Sequence, residues 1–475
     1  MPHRLCVAVT VCRGTTYEIR SFIIDEGLES CHMGRVVTRV FPRPDSETLL
    51  QAQRIQKHVW TMEMSGSSSR ESGNLDHTPE SVDVWAAELR LRFSGKPIAV
   101  ALEQSRGPLV FMLTKYEHLV IFPVHPTTLA NYRKSFRPSG AKDDPHDAGL
   151  LLDILMRHRD KLRRLNPDNP ETRTLQFMVE ERRKLVHEKT RYSNRLTAHL
   201  KMYFPQALEW FDEIGSNMAA DFLVRWPTLE VLQRARLSTI ERFFIDHCSR
   251  NTERNRERLD QIRKAVPATN DRAVVSACST AVTAWASLLQ PLLNAIKNYD
   301  EQIDRLARQH PDYALMNSFP GAGPALTPRL IAALGSQRER YQSAYEIQCY
   351  SGIAPVVAAS GKQRWVHWRW SCPKFLRQTF HEWALHSIAY SEWAREYYDG
   401  QRRNGKSRNT AIRALAFKWI RILFRCWKDN RPYDEVAYQR VLASRRPKPA
   451  VGPAVEVQWK NVAGFSKLAV SGLDS

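Results

Sequence analysis

The sequence predicts an α/β domain, then a long helical middle, then a mainly α, strongly basic C-terminal domain. Three observations carry that prediction. A continuous apolar strand, Ile98–Leu102, lies between segments of helical periodicity. From Glu171 the texture changes to long charged helices. After Ser360, lysines and arginines interleave with tryptophan. A chain of 475 residues exceeds one ordinary core, so two or three folded domains are expected.

The elements follow in order. Leu5–Val11 and Tyr17–Ile24 read as a hairpin around Arg13-Gly14, ending at Asp25, and Met64 to Gly73 reads as a loop by composition. Ser81–Phe93 is an amphipathic helix with Val82, Trp85, Ala86, Leu89 and Leu91 apolar. Ile98–Leu102 ends in Glu103, and a helix from Gly107 to Tyr116 leads into a second apolar strand, Leu119–Val124. Helix, strand, helix and strand in succession imply a partly parallel sheet.

Thr172–Tyr203 is helical with Val179, Val186, Leu196 and Leu200 on one side, and an aromatic stretch follows to Phe211. A helical insertion occupies about 215 to 265. In the next long helix, Arg272–Gln309, residues Leu289, Leu292, Ile296, Tyr299, Ile303 and Leu306 follow a 3-4-3-4-3 spacing. That spacing fits an antiparallel arm or coiled-coil contact, and equally an ordinary bundle helix. Leu315 to Leu330 is a helix, a Gly-rich turn and another helix, in which Pro320-Gly-Ala-Gly-Pro324 resembles a helix-hairpin-helix turn. Boundaries fall at 1–60 (an atypical opening), 61–165, 166–312, 313–446 and a mobile tail, 447–475.

Lys and Arg number 70 against 50 Asp and Glu, a formal charge of +20. That surplus favours nucleic acid as partner. A membrane partner is disfavoured, since no uninterrupted apolar run approaches a spanning length and no signal-peptide core is visible. Eight scattered cysteines without a CxxC pair read as reduced thiols of a cytoplasmic protein.

Asp144 and Asp147 are three apart at a helix start. One reading makes Asp144 the N-cap, Pro145 the first helical residue and Asp147 the N3 acid. The other points both carboxylates at Mg²⁺. Glu103, at the C-terminal lip of a buried strand, joins them as a third acid. Arg133, Lys134, Arg137 and Lys142 precede the pair and suit phosphate. Gly321 and Gly323 allow close backbone approach to a phosphate, or simply form a turn between helices.

Between Lys362 and Lys448 there are 20 Lys/Arg against 7 Asp/Glu. Lys362, Arg364, Arg369, Lys374 and Arg377 alternate with Trp365, Trp368, Trp370, Phe375 and Phe380, a pattern that grips phosphates and stacks bases. Ser360-Gly361 opens this region, and a serine there is a candidate nucleophile toward phosphorus or a plain turn residue.

Four blocks, in order and spacing, resemble the insertion-sequence-110 class of transposases, the bridge-RNA-guided recombinases. They are Val100-Ala-Leu-Glu-Gln-Ser-Arg-Gly107, Ser139-Gly-Ala-Lys-Asp-Asp-Pro-His-Asp-Ala148, Phe319-Pro-Gly-Ala-Gly323, and Tyr350-Ser-Gly-Ile-Ala-Pro355 with Ser360-Gly361. The resemblance implies a RuvC-like (RNase H-type) N-terminal domain whose DEDD acids include Glu103, Asp144 and Asp147. It implies Mg²⁺, a covalent phosphoserine link from Ser360 to DNA, a structured guide RNA, and a homodimer or tetramer with acids and serine from different subunits. The 3-4 seam is the expected dimer contact.

One departure stands out. Counted back from Gln56-Lys57-His58, the first acid of the set belongs near Ala52, yet Leu49–Trp60 holds no carboxylate. Asp25, after Ser21-Phe-Ile-Ile24, could substitute from a different strand. A different native start, a frameshift or loss of activity would each account for the gap, and weak or absent catalysis is expected. The alternatives are a RuvC-like nuclease or junction resolvase using water, and a nucleic-acid-binding remnant.

Overall fold

The computed structural model describes residues 5–11, 57–64, 70–136, 143–247, 249 and 251–445. The chain forms two compact units, one up to Pro167 and one from Asp168 on.

The first unit is built on five strands: β1 (Leu5–Val11), β2 (Lys57–Met64), β3 (Arg70–Asp76), β4 (Ile98–Leu102) and β5 (Leu119–Pro123). Their order is β3-β2-β1-β4-β5. β1–β2 and β2–β3 are antiparallel, whereas β1–β4 and β4–β5 are parallel. Both edges of β1 are thus occupied, which excludes the expected pairing of β1 with Tyr17–Ile24; that segment lies outside the described residues. β3 begins at Arg70, so part of the loop expected from Met64 to Gly73 is strand.

Four helices cover the sheet: α1 (Pro79–Arg92), α2 (Pro108–Leu113), α3 (Pro126–Phe136) and α4 (Asp144–Arg157). Strand alternation assigns the faces. Ile98, Val100 and Leu102 of β4 join Val82, Trp85 and Leu89 of α1 and Leu109 and Leu113 of α2 in one core. Ala99 and Ala101 turn to the opposite core with Leu129 of α3 and Leu151 and Leu155 of α4. Small side chains on that face let α4 lie close to the sheet.

The second unit begins with α5 (Pro170–Tyr203) and continues through α6 (Ala207–Trp210), α7 (Asn217–Arg225), α8 (Leu229–Arg234), α9 (Leu237–Asp246) and α10 (Thr252–Lys264) to α11 (Arg272–Gln309). Then come α12 (Tyr313–Asn317), α13 (Gly323–Leu334) and α14 (Ala344–Tyr350). A hairpin of β6 (Val356–Ser360) and β7 (Gln363–His367) precedes α15 (Lys374–Tyr390), α16 (Glu392–Arg403), α17 (Arg408–Asp429) and α18 (Glu435–Arg445).

α5 and α11 run antiparallel: Thr172 meets His310, Arg182 pairs with Asp300, and Tyr192 packs on Trp285. This explains the 3-4-3-4-3 spacing. Leu289 is buried with the insertion helices α7 to α9, and Ile303 with the C-terminal helices. The seam is consumed inside the chain, so the expected dimer contact along it is not available. The two ends of the pair serve two different cores. Leu196 and Leu200 enter the aromatic core of the insertion, while Leu175 and Val179 enter the C-terminal core. Between them lies a short two-helix neck, and Pro291 of α11 sits on its insertion side, between Leu289 and Leu292, which pack in the aromatic core.

α11 is long and apolar enough, by length and composition, to cross a membrane. Its periodic apolar residues Cys278, Val282, Ala286 and Leu289 are instead buried against the insertion, and polar residues such as Ser276, Ser279, Thr280 and Gln290 alternate with them.

Candidate functional site

The acid residues sit at the ends of β4 and α4. β4 is buried along its whole length, and Glu103 follows it directly. Continued by one residue, the strand alternation puts Glu103 on the side of the sheet covered by α3 and α4. α4 starts one residue earlier than the capping reading expected. Asp143, in extended conformation, is the N-cap, so Asp144 is the first helical residue and Asp147 lies one turn in. The Asp147 N–H bonds the Asp143 carbonyl at 3.0 Å. Two consecutive aspartates both suit a cap, and the sequence alone does not choose between them.

Asp147 is the residue the structure defines most sharply. It is 1% exposed, and Arg133 of α3 donates to it from both Nε and Nη2, each at 2.6 Å. This is a bidentate, nearly buried fork in which both carboxylate oxygens are taken. Arg133 therefore does not serve as the expected phosphate clamp; it faces inward. Lys134 is exposed, and Arg137 and Lys142 lie outside the described residues. Glu103, Asp144 and Asp147 are not brought together as ligands. Among the described residues, no three His, Cys, Asp or Glu side chains are grouped so as to hold a metal ion.

The strand beside β4 also differs from the count that placed the first acid near Ala52. β1, with register Val9↔Leu102, fills that slot, and Thr10 and Glu103 are the next residues on the two strands. Leu5–Val11 contains no acid. Ala52 and Asp25 lie outside the described residues.

In the second unit Ser360 closes β6 and pairs with Gln363 across a two-residue loop, Gly361-Lys362. Gly361 has φ +57°, the left-handed value that a tight hairpin loop requires and that glycine adopts without penalty. Ser360, Lys362 and Arg364 are all exposed. The hairpin carries apolar side chains into solvent: Trp365 is 50% exposed, Val366 63%, and Trp370 just beyond it 78%. Phe375 and Phe380 are core residues instead, packed with Leu376 and Trp383. Arg369 is tied back, with Nε donating to the Ala354 carbonyl at 3.4 Å, and Lys374 is exposed at the start of α15.

The Gly-rich turn has a packing role. A Cβ on Gly321 would lie 2.8 Å from the backbone of His386 and Ser387 on α15, and Trp383 Nε1 donates to the Pro320 carbonyl at 3.1 Å. Gly321 is therefore spent on close approach to α15. Gly323 opens α13 with free space beside it.

One charged residue escaped the sequence reading. Arg413 of α17 stacks 3.0 Å from the centroid of Trp368, with Arg377 5.5 Å from the same ring. The available signal was its place beside Ile412, Leu415, Ala416 and Trp419, a buried stripe in which a long cation needs a reason.

Two family models match this chain. A transposase model carrying the DEDD designation of the IS110 class spans residues 55–205, and a second, for transposases of the IS116/IS110/IS902 family, spans 313–399. The chain belongs to the IS110 class of transposases. Similar proteins agree. A protein of Streptomyces coelicolor named as the mini-circle transposase for IS117 is 28% identical over 72% of this chain and 84% of its own length. The 42 kDa protein of insertion element IS900 from Mycobacterium paratuberculosis is 26% identical over 74% of this chain and 84% of its own. In this IS110-class chain the first match begins after β1, and the second includes the glycine turn, the hairpin and Arg377.

Proposed function

We propose that this transposase cuts and rejoins DNA by transesterification at Ser360, with a structured RNA selecting the site. The observation that carries the reading is the exposed serine at a hairpin tip flanked by Lys362 and Arg364. In the step envisaged, Ser360 Oγ attacks a phosphodiester phosphorus. An Oγ–P bond forms as one P–O bond to a sugar breaks, and the hydroxyl proton ends on the departing sugar oxygen. The reverse attack by another DNA hydroxyl restores the serine, so bond number is conserved and no external reductant or nucleotide is needed. Lys362 and Arg364 offer charge to the phosphate, and the exposed rings of Trp365 and Trp370 offer stacking faces for unpaired bases.

The RuvC-like reading of the first unit is supported by its mixed five-stranded sheet with helices on both faces. By resemblance its acids Glu103, Asp144 and Asp147 would hold Mg²⁺. The arrangement does not fit that ion. Arg133 already neutralises Asp147, and β1 supplies no acid. This mismatch favours a second reading, a nucleic-acid-binding remnant. Guide-RNA binding and assembly into dimers or tetramers on nucleic acid belong to the first reading, with the subunit contact outside the α5–α11 seam.

The test is label transfer. The chain is incubated with the non-coding transcript adjoining its gene and radiolabelled DNA from the gene's flanks, then resolved on a denaturing gel. Wild type is expected to carry DNA label that Ser360→Ala lacks. Cleavage that survives Ser360→Ala without label would establish a water-using nuclease, and binding without cleavage in both proteins would establish the remnant.

A further inference from the structure

At the base of the hairpin three segments converge on one ring. Trp368 follows β7, Arg377 comes from α15 and Arg413 from α17. The two guanidinium groups share the ring, and among the described residues neither is paired with an acid. Arg413 Nε and Arg377 Nη1 are buried without a hydrogen-bond partner. The nearest downstream acid in sequence, Glu382, is engaged by Arg329 and Gln378. Burial first, and then the charge of Arg377, push Arg413 down to about 10, so it remains a cation at neutral pH.

Two half-buried cations side by side repel one another and leave donors unmet, at a cost in free energy. Stacking on Trp368 offsets part of that cost and fixes both forks. A bound anion would remove the rest, and the planar fork of a part-exposed arginine matches phosphate oxygens.

We propose that Arg377 and Arg413, braced on Trp368, form a subsite for one backbone phosphodiester of nucleic acid. The proposal rests on reading the Ser360 hairpin as a nucleic-acid interface. From Gln363 to Trp368 the chain spans roughly 16 Å at strand rise. With a phosphate every ~3.4 Å of duplex axis per strand, the gripped phosphate lies about four or five nucleotides from the one at Ser360. The subsite carries no base information. It sets register.

The experiment measures binding of fluorescein-labelled 24-mer DNA and RNA duplexes to the full chain between 50 and 200 mM salt. Arg377→Gln and Arg413→Gln are each expected to lower affinity for at least one probe whatever its sequence. Each should also make the loss over that salt range about 3.5-fold shallower, the change expected for one phosphate contact. Because both grip one phosphate, the double variant should match the singles and not compound them. Arg425→Gln, which removes an exposed arginine paired with Asp429, serves as control and should change neither quantity. The DNA and RNA arms show which strand is held. Unchanged salt slopes on both probes, in variants with wild-type melting temperature, would overturn the proposal. So would compounding losses in the double variant. The same titrations in a Ser360→Ala background separate the two ideas. If that chain binds neither probe, the interface reading fails; if it binds both and is insensitive to Arg377 and Arg413, only the subsite fails.

Discussion

At the scale of single residues, the informative contact is the fork between Arg133 and Asp147. A carboxylate 1% exposed is tolerable because both oxygens receive charged donors. Removing one partner leaves a buried, unmatched charge, so Arg133→Met should destabilise the N-terminal unit by about 3–5 kcal/mol. Removing both, in Arg133→Met/Asp147→Leu, should recover most of that loss. Chemical denaturation followed by near-UV circular dichroism reads both values. A single variant within 1 kcal/mol of wild type would mean that the fork is solvated in solution. The fork was not legible in the sequence. Its partners lie 14 residues apart on different helices, and no periodicity links them. The run of basic residues before Asp144 suggested clamping outward, whereas a guanidinium on α3 finds a better partner inward.

At the scale of elements, strands and helices with strong local patterns were readable and long-range pairings were not. Five apolar residues followed by Glu103 define β4 without ambiguity, and the apolar spacing of α11 marks its buried face. Hairpin reasoning gives β1 the nearest strand as its partner, whereas β2 begins 46 residues after Val11. The glycine turn shows the same limit. Its sequence fits phosphate binding and close packing alike, and only the approach of α15 decides for Gly321. A prediction follows for this turn. Gly321→Ala forces a Cβ into the α15 backbone at an unfavourable φ of +73°, and Gly323→Ala incurs only the φ cost, about 1 kcal/mol. The first should lower the melting temperature by several degrees more than the second. Equal shifts would show that the turn is not docked on α15 in solution.

At the scale of the whole molecule, acid stability is set where α5 begins and α11 ends. His310 is buried. Its Nδ1 accepts the Asp312 N–H at 3.1 Å, so Nε2 carries the proton and donates to Thr172 Oγ1 at 2.8 Å. Burial holds its pKa below the ordinary value, and burial together with Arg413 does the same for His381. Both groups fold neutral. Their contribution is complete above the unfolded value of about 6.5 and is lost as pH falls through the depressed folded values. Asp168 behaves similarly at lower pH. Burial alone would raise its pKa, but the Arg340 pair at 2.8 Å and the Ser336 N–H outweigh burial and lower it. Unfolding free energy should therefore fall from pH 7 to pH 5, by at most ~1.4 kcal/mol per pH unit for each histidine. His310→Gln should flatten that fall without abolishing it. Parallel curves for the two proteins would exclude His310 as a source.

The neck between the two cores of the second unit has a mechanical meaning. Between Arg183, which reaches Gln378 and Phe375 of α15, and Lys189, which pairs with Glu213, and likewise from Leu293 to Tyr299 on α11, the α5–α11 pair runs roughly 9 Å at helical rise between its contacts with the two cores. A strut of two helices is stiff along its axis and compliant across it. Pro291 lies just on the insertion side of this span, donates no N–H, and frees the Ser287 carbonyl that it would have met. Transverse load on the insertion concentrates its strain there. Any bending of the insertion against the C-terminal core is thus confined to about two turns of paired helix.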